Sequence, residues 1–458
     1  MVEIFKIIKF YKVSFNLIRN SVLKENSLMN YGNHIFNLSI FFLPSALPIA
    51  GILLLLALII SFSKTSINIF KEKWNIYLII CSLFLILNTL YNYFNYSNQF
   101  QELERINLWI QLFNWIPLFF VFIGSQPYLK TEPQRERFIK FLLMGSMPVL
   151  LSCFLHYLNI NGPFSLFNDS IVWYMKPRNS NLTTAAVAGL FSNNNYTATW
   201  LSMIWPFSIT LLIKNRNKFQ SLILFFITLL IFIFAILTTS RNAILGIFIS
   251  TSVVLGSKSS IIIGFFILIT IISLFTFNLI SYGNIISFLE KNQLIILKQI
   301  FEKNLLLIED LSLIKYLPRI SIWQETIFAI MQKPFIGWGA GTFFLITNIK
   351  NIKHVNIPMH SHNMLLEIAY NYGIFITILL AAFVGLITYK IGKIIFSKDT
   401  RLTLCTTKAL YASMLVALII HMTDITYYDG KISILIWTLL ASLKCILDET
   451  KFLIDGKV

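Results

Sequence analysis

Two arginines and a histidine stand out in the 458-residue sequence as groups able to grip an anion and move a proton. Arg241 follows Leu-Thr-Thr-Ser and opens an apolar run. A guanidinium at such a turn either snorkels to water or pairs with an anion. Arg319 begins RISIWQETIFAIMQ, where Arg319, Trp323, Ile327 and Ile330 share one helical face before Pro334 stops the helix. His362 lies in a stretch containing His354, His360, Ser361 and Asn363, and thus three of the six histidines. An imidazole with an unperturbed pKa near 6.5 suits proton abstraction from a hydroxyl at neutral pH. The His-x-His pair could also begin a zinc site, but Glu367 is the nearest carboxylate and further ligands are few, so no metal is expected.

The glycines at 337, 339 and 341 superficially suggest a phosphate loop. No strand precedes them and no GK[ST] follows, so they read as a turn with positive-φ positions rather than a nucleotide site. Cys81, Cys153, Cys405 and Cys445 lack CxxC or metal spacing and read as ordinary thiols in or beside apolar segments.

The elements that must position these groups are membrane helices. The chain is 56% hydrophobic and 12% charged, with a mean hydropathy of +0.73, against about 25% charge in soluble domains. A soluble fold, disorder, a collagen-like fibre and a disulfide-stapled secreted domain are all excluded. The net charge of +17 marks topology rather than nucleic acid, because Lys and Arg sit mostly in short links between apolar runs.

Runs near 20 residues long fall at 74–94, 106–124, 138–160, 197–213, 219–239, 242–257, 260–280, 364–388, 409–428 and 431–447. The stretch 36–62 is long for one helix and is broken by Pro44 and Pro48, which favours a tight pair of short helices. Basic links at Lys64 to Lys73, Lys130 to Lys140, Lys214 to Lys218, Lys258, and Lys390 to Lys408 then share the cytoplasmic side, while the alternate links are nearly bare. The expected fold is an all-α polytopic integral membrane protein with about twelve crossings and both termini cytoplasmic.

Residues 1–35 read as a cytoplasmic basic amino-terminal segment, within which KIIKFYKVSFNLIRN (6–20) is either an amphipathic helix on the inner leaflet or a loose tail. Residues 36–458 read as a single membrane domain with a large helical extracytoplasmic loop, 281–363, inserted; the first half of that loop has amphipathic helical spacing. Arg241, Arg319 and His362 all fall on the extracytoplasmic face of this topology.

The combination of TTSRNA (238–243), R-x3-W with PFIGWGAGTF (319–344), and HSHNMLLEIAYNYGIF (360–375) resembles the O-antigen ligase and O-antigen polymerase superfamily of bacterial envelope glycosyltransferases. GLFSNNNYTATWLSMIWP (189–206) is similar to a further stretch of that family, and the likeness covers roughly 185–390. His362, Asn363 and Gly373 satisfy the ligase spacing, whereas Ile376 stands where the ligase pattern usually has Gly, Thr or Tyr.

The resemblance implies that His362 is the catalytic base, with Arg241 and Arg319 on the pyrophosphate of a polyprenyl-pyrophosphate-linked glycan. It implies transfer to a hydroxyl of a lipid or glycan acceptor at the bacterial inner membrane, with membrane lipids as further partners and no nucleic acid. Arginine forks match phosphate oxygens and neutralise a leaving pyrophosphate, so neither nucleotide nor other cofactor is expected.

Around this core, Asn363 can hold the histidine loop and Glu367 can orient the imidazole, or both can simply cap the next helix. Asn194, with Asn193 and Asn195, can meet sugar hydroxyls or form a polar turn. Trp323 can stack on a sugar or anchor at the interface. His360 and Asp424 are secondary candidates, Asp424 and Asp429 as partners for an arginine. The alternative reading is a membrane transporter of a small anion or sugar, which a Pro-broken 36–62 would suit.

Overall fold

A computed structural model describes residues 27–64, 72–96, 102–158, 186–191, 193–256, 318–343, 359–397 and 405–455. The expected span 260–280, the amphipathic stretch after residue 281 and the amino-terminal residues up to 26 lie outside them. The described residues form helices and turns with no strand, and the chain is a polytopic membrane protein. Among the described residues, eight helical stretches are long and apolar enough to cross a bilayer, and two shorter apolar helices, Arg241–Leu255 and Cys405–His421, accompany them.

The prolines explain the first hairpin. Helix α1 (Ser27–Phe42) stops before Pro44, and α2 (Leu47–Lys64) carries Pro48 in its first turn, where a missing N–H costs nothing. Helix is present from Ser27, within the stretch 1–35 read from sequence as the basic amino-terminal segment. Phe36, Ile40, Ala50, Leu54 and Ala57 are buried in the core around this pair, and the Tyr128 hydroxyl donates to the Ala57 carbonyl at 2.6 Å.

Helix α3 (Lys73–Asn95) follows, and the 106–124 run divides into α4 (Glu102–Ile110), a 3-10 turn at Gln111–Asn114, and α5 (Ile116–Ser125). Likewise α6 (Glu132–Gly145) and α7 (Met147–Tyr157) meet at Ser146. Thr131 and Gln134 close a capping box at the start of α6.

The centre of the bundle is α8 (Asn194–Lys214), flanked by α9 (Lys218–Leu237), α10 (Arg241–Leu255) and, from the far end of the sequence, α14 (Cys405–His421). A side chain on Gly246 would come within 3.0 Å of both Ser202 and Val416, so a glycine is what lets α8, α10 and α14 approach. Helix α9 instead presents Leu222, Phe225, Phe226 and Leu229 outward, as a lipid-facing helix must.

The expected span 364–388 is broken. Helix α12 (Met364–Tyr372) ends at Gly373, which has φ +86°, and α13 (Ile374–Ile395) restarts at once. The break is imposed by the segment after α11 (Pro318–Gln332). Trp338 N–H donates to Tyr370 O at 2.7 Å, Gly339 N–H to Asn371 O at 3.0 Å, and Ile374 N–H to Pro334 O at 2.7 Å. Gly337, at φ +71°, lies so close that a Cβ would meet Tyr370 O at 2.6 Å. Asn88 adds bonds to Ile336 O and Tyr372 O at 2.6 and 3.2 Å, which ties the strap to α3. The glycine-rich turn is therefore a clamp that locks α11 onto the end of α12.

At the opposite end of the bundle, ion pairs join the basic links: Lys214 to Glu136 at 2.6 Å, Arg135 to Glu449 at 2.5 Å, and Lys444 to Glu72 at 3.7 Å. Helix α15 (Gly430–Asp455) runs between the two ends, its first residues beside the histidine loop's neighbours and its last near Arg135.

Candidate functional site

The organising residue is Asp424, in the turn between α14 and α15. Its carboxylate is 7% exposed, and both oxygens are claimed. Oδ1 lies 3.0 Å from His362 Nδ1 and accepts from the Ile425 N–H at 2.9 Å. Oδ2 accepts from Asn195 Nδ2 at 2.9 Å and faces an Arg319 guanidinium nitrogen at 3.6 Å. Burial alone would raise its pKa, but the His362 hydrogen bond and the Arg319 charge outweigh burial and hold it below the ordinary carboxylate value. An ionised carboxylate can only accept, so the Nδ1 that faces it is the donor, and in the neutral ring Nε2 is then the atom able to accept a proton.

Four elements deliver these groups. His362 belongs to the loop before α12 and has φ +56°, a left-handed conformation uncommon outside glycine. The loop is held from several sides: Ser361 N–H donates to Glu367 Oε2 at 2.8 Å, and Ser361 Oγ donates to Asn363 O at 2.9 Å. Asn363 caps α12 by accepting from the Leu365 and Leu366 N–H groups, and its amide donates to Met422 O at 2.9 Å, two residues from Asp424.

Glu367 is buried and accepts from Asn371 and Tyr428 as well as Ser361, so it fixes the loop backbone, while Asp424 is the carboxylate that touches the imidazole. His360 packs edge-on against His362, with ring centroids 4.3 Å apart. Burial first, then the neighbouring His362 ring and the Arg319 guanidinium, outweigh the opposing pull of Asp424 and push its pKa down to about 4, so it is neutral at physiological pH.

Arg319, on the first turn of α11, is 41% exposed and keeps most of its fork open. Trp323 lies one turn further on, half-buried, its indole N–H without a partner among the described residues. Arg241 is exposed and touches none of the other candidates directly. It opens α10, and its neighbour Asn242 accepts from Thr423, itself the neighbour of Asp424, at 3.1 Å. Asn194 donates to Thr238 O at 2.8 Å, in the turn just before Arg241, so it is Asn195 and not Asn194 that reaches the acidic centre. Asp429 accepts from the Lys431 N–H at the start of α15.

The amino-terminal ends of α8, α10, α11 and α12 thus gather around Asp424, and the positive ends of their dipoles add to the arginines. Below them lies an apolar cavity of about 270 Å³, lined by Met364, Leu365 and Met422 together with Leu380, Val384 and Leu418. Two arginines, one oriented imidazole and an apolar recess thus lie within one region of the bundle.

Residues 226–381 match the family model for O-antigen ligase. The matched stretch contains Arg241, Arg319, His362, Asn363 and Glu367, and it supports the O-antigen ligase superfamily and, with it, a multi-pass membrane glycosyltransferase or ligase family of the bacterial inner membrane. No curated protein matches the chain.

Proposed function

We propose that the protein transfers a glycan from a polyprenyl-pyrophosphate donor, of the undecaprenyl kind, to an acceptor hydroxyl at the extracytoplasmic face, as a ligase or polymerase of cell-envelope polysaccharide biosynthesis. The observation that carries this reading is the chain Arg319–Asp424–His362, in which one buried carboxylate orients a base and steadies a half-exposed guanidinium.

His362 Nε2 takes the proton of the acceptor hydroxyl, and the oxygen attacks the anomeric carbon. The bond from that carbon to the pyrophosphate oxygen breaks, and polyprenyl pyrophosphate leaves with the electron pair. Arg319 and Arg241, with the helix amino termini behind them, stabilise the charge that grows on the leaving group. The isoprenoid tail lies in lipid beside the apolar recess, which puts the pyrophosphate at headgroup level. A single displacement inverts the anomeric centre.

The test is a labelled lipid-linked glycan incubated with the purified protein and acceptor in detergent. Polyprenyl pyrophosphate is expected to be released with wild type and not with His362→Ala, which should still fold cooperatively, with a melting temperature lowered by the bond lost to the buried Asp424 carboxylate. Release by the alanine variant at the wild-type rate would overturn the assignment.

A further inference from the structure

The opposite end of the bundle holds a second feature that the transfer chemistry does not use. A cleft of about 930 Å³ opens between the start of α3, the end of α13 and the end of α15. Lys73, Lys390 and Lys393 line it with the aromatic rings of Trp74 and Tyr77. All three lysines are exposed, and among the described residues none is in an ion pair.

The cleft also contains two carboxylates, Glu72 and Asp448, which would repel an anion if they were free. They are not free. Buried Lys444 places its ammonium 2.7 Å from Asp448 and 3.7 Å from Glu72, and Glu72 in addition accepts from the Trp74 and Asn75 N–H groups to cap α3. Lys444 thus offsets part of their charge from behind, and the three lysines at the front, one of them over the Trp74 ring, leave the cleft net positive. Lys390 lies 5.0 Å from the Trp74 ring centroid, and Trp74 packs edge-on against Phe383 while Tyr77 donates to Leu379 O at 2.8 Å. The aromatic wall is therefore fixed by the core, and the cations stand on a rigid frame.

Residue 73 starts a membrane-length helix and residue 395 ends another, so the cleft lies at the level of the lipid headgroups, where Trp and Tyr are enriched. We propose that this cleft binds the phosphate-bearing headgroup of an anionic phospholipid, its phosphate among Lys73, Lys390 and Lys393 and the first part of its chains against Trp74, Tyr77 and Ile394. Basic pockets between membrane helices take anionic headgroups for the reason seen here, several cations beside an apolar edge.

The experiment uses the purified full-length protein exchanged into mixed micelles of phosphatidylglycerol and phosphatidylcholine, with bound lipid read by native mass spectrometry. Wild type is expected to retain phosphatidylglycerol selectively. Lys390→Gln with Lys393→Gln should weaken that retention roughly 30-fold, from the contribution of each surface lysine near anionic lipid. Unfolding should be unchanged, since both side chains are exposed, and glycan transfer in neutral micelles should also be unchanged, which separates this site from the one at His362. Equal retention of the two lipids by wild type, or undiminished retention by the double variant, would overturn the proposal. Inorganic phosphate should compete weakly, because the aromatic wall gives it nothing; displacement of the lipid by low-millimolar phosphate would exclude the headgroup as the occupant.

Discussion

Asp424→Asn is the sharpest perturbation of the candidate site, because it keeps the shape and removes only the charge and one acceptor. The carboxylate takes three hydrogen bonds, from His362 Nδ1, Asn195 Nδ2 and the Ile425 N–H, and faces Arg319. An amide has one acceptor oxygen and one donor nitrogen. If its oxygen stays on the Oδ1 side, its NH2 opposes the Asn195 amide and the Arg319 guanidinium. If it flips, its NH2 opposes His362 Nδ1, drives the imidazole to the Nε2–H tautomer and leaves no base facing the acceptor. Loss of a positioned base costs about 10²–10⁴ in rate, and the partly exposed Arg319, 3.6 Å from the carboxylate, loses an ion pair worth at most about 1 kcal/mol. The expected outcome is a fall in kcat of about 10²–10⁴-fold, with donor affinity changed much less. Single-turnover transfer from a labelled lipid-linked glycan measures it. Because the two residues act as one unit, Asp424→Asn combined with His362→Ala should be no slower than His362→Ala alone. A single variant within about threefold of wild type, or strictly multiplicative losses in the double variant, would refute the reasoning.

Other outcomes follow from the same geometry. Arg319→Lys exchanges an open fork for a point charge and should lower kcat/KM for the donor by about 10–100-fold, the value of one charge-assisted bond; unchanged kinetics would argue against pyrophosphate contact there. Gly373→Ala forces a side chain into φ +86° and against the Phe335 carbonyl, so stability should drop by about 1–3 kcal/mol or more, seen as a lower melting temperature; a wild-type melting temperature would contradict the clamp. His360, with a pKa near 4 when folded, binds fewer protons in the native loop than in the unfolded chain, where histidine titrates near 6.5. Its contribution to stability is thus complete above pH ~6.5 and disappears as pH falls towards 4, so the melting temperature should decline across that window, and His360→Gln should flatten the decline.

How far the sequence foretold this arrangement depended on the distance over which each signal acts. Hydropathy is a local sum, and it placed most helices within a few residues; Pro44 and Pro48 announced the break between α1 and α2 because proline acts on its own backbone. The break at Gly373 was not legible. Its cause is a carbonyl from residue 335 pressing on residue 373, and an apolar run such as 364–388 carries no mark of that contact. The glycines at 337, 339 and 341 were readable as positive-φ positions, at +71°, +86° and +80°, though not as the clamp they form.

The same division separates the residues of the site. His362, Arg319 and Arg241 declared themselves by type and by a shared side of the topology, yet nothing in their spacing says that they meet. They are joined through the 423–424 turn: Asp424 takes His362 from 62 positions away and Asn195 from 229, while Thr423 reaches Asn242 beside Arg241. Asn193, Asn194 and Asn195 look alike in sequence, and only the direction each takes at the start of α8 decides that one caps the helix, one holds the α9–α10 turn and one reaches the acid. Glu367 was the local carboxylate and so the natural partner for the imidazole, but a residue five positions ahead on the helix that the loop leads into faces the loop's backbone. The orienting acid had to come from another element, since only a rigid turn between two core helices can hold a charge still while substrate comes and goes. By that argument the site's precision resides in the turn that α14 and α15 hold, where the sequence offered only Asp424 and Asp429 as candidates.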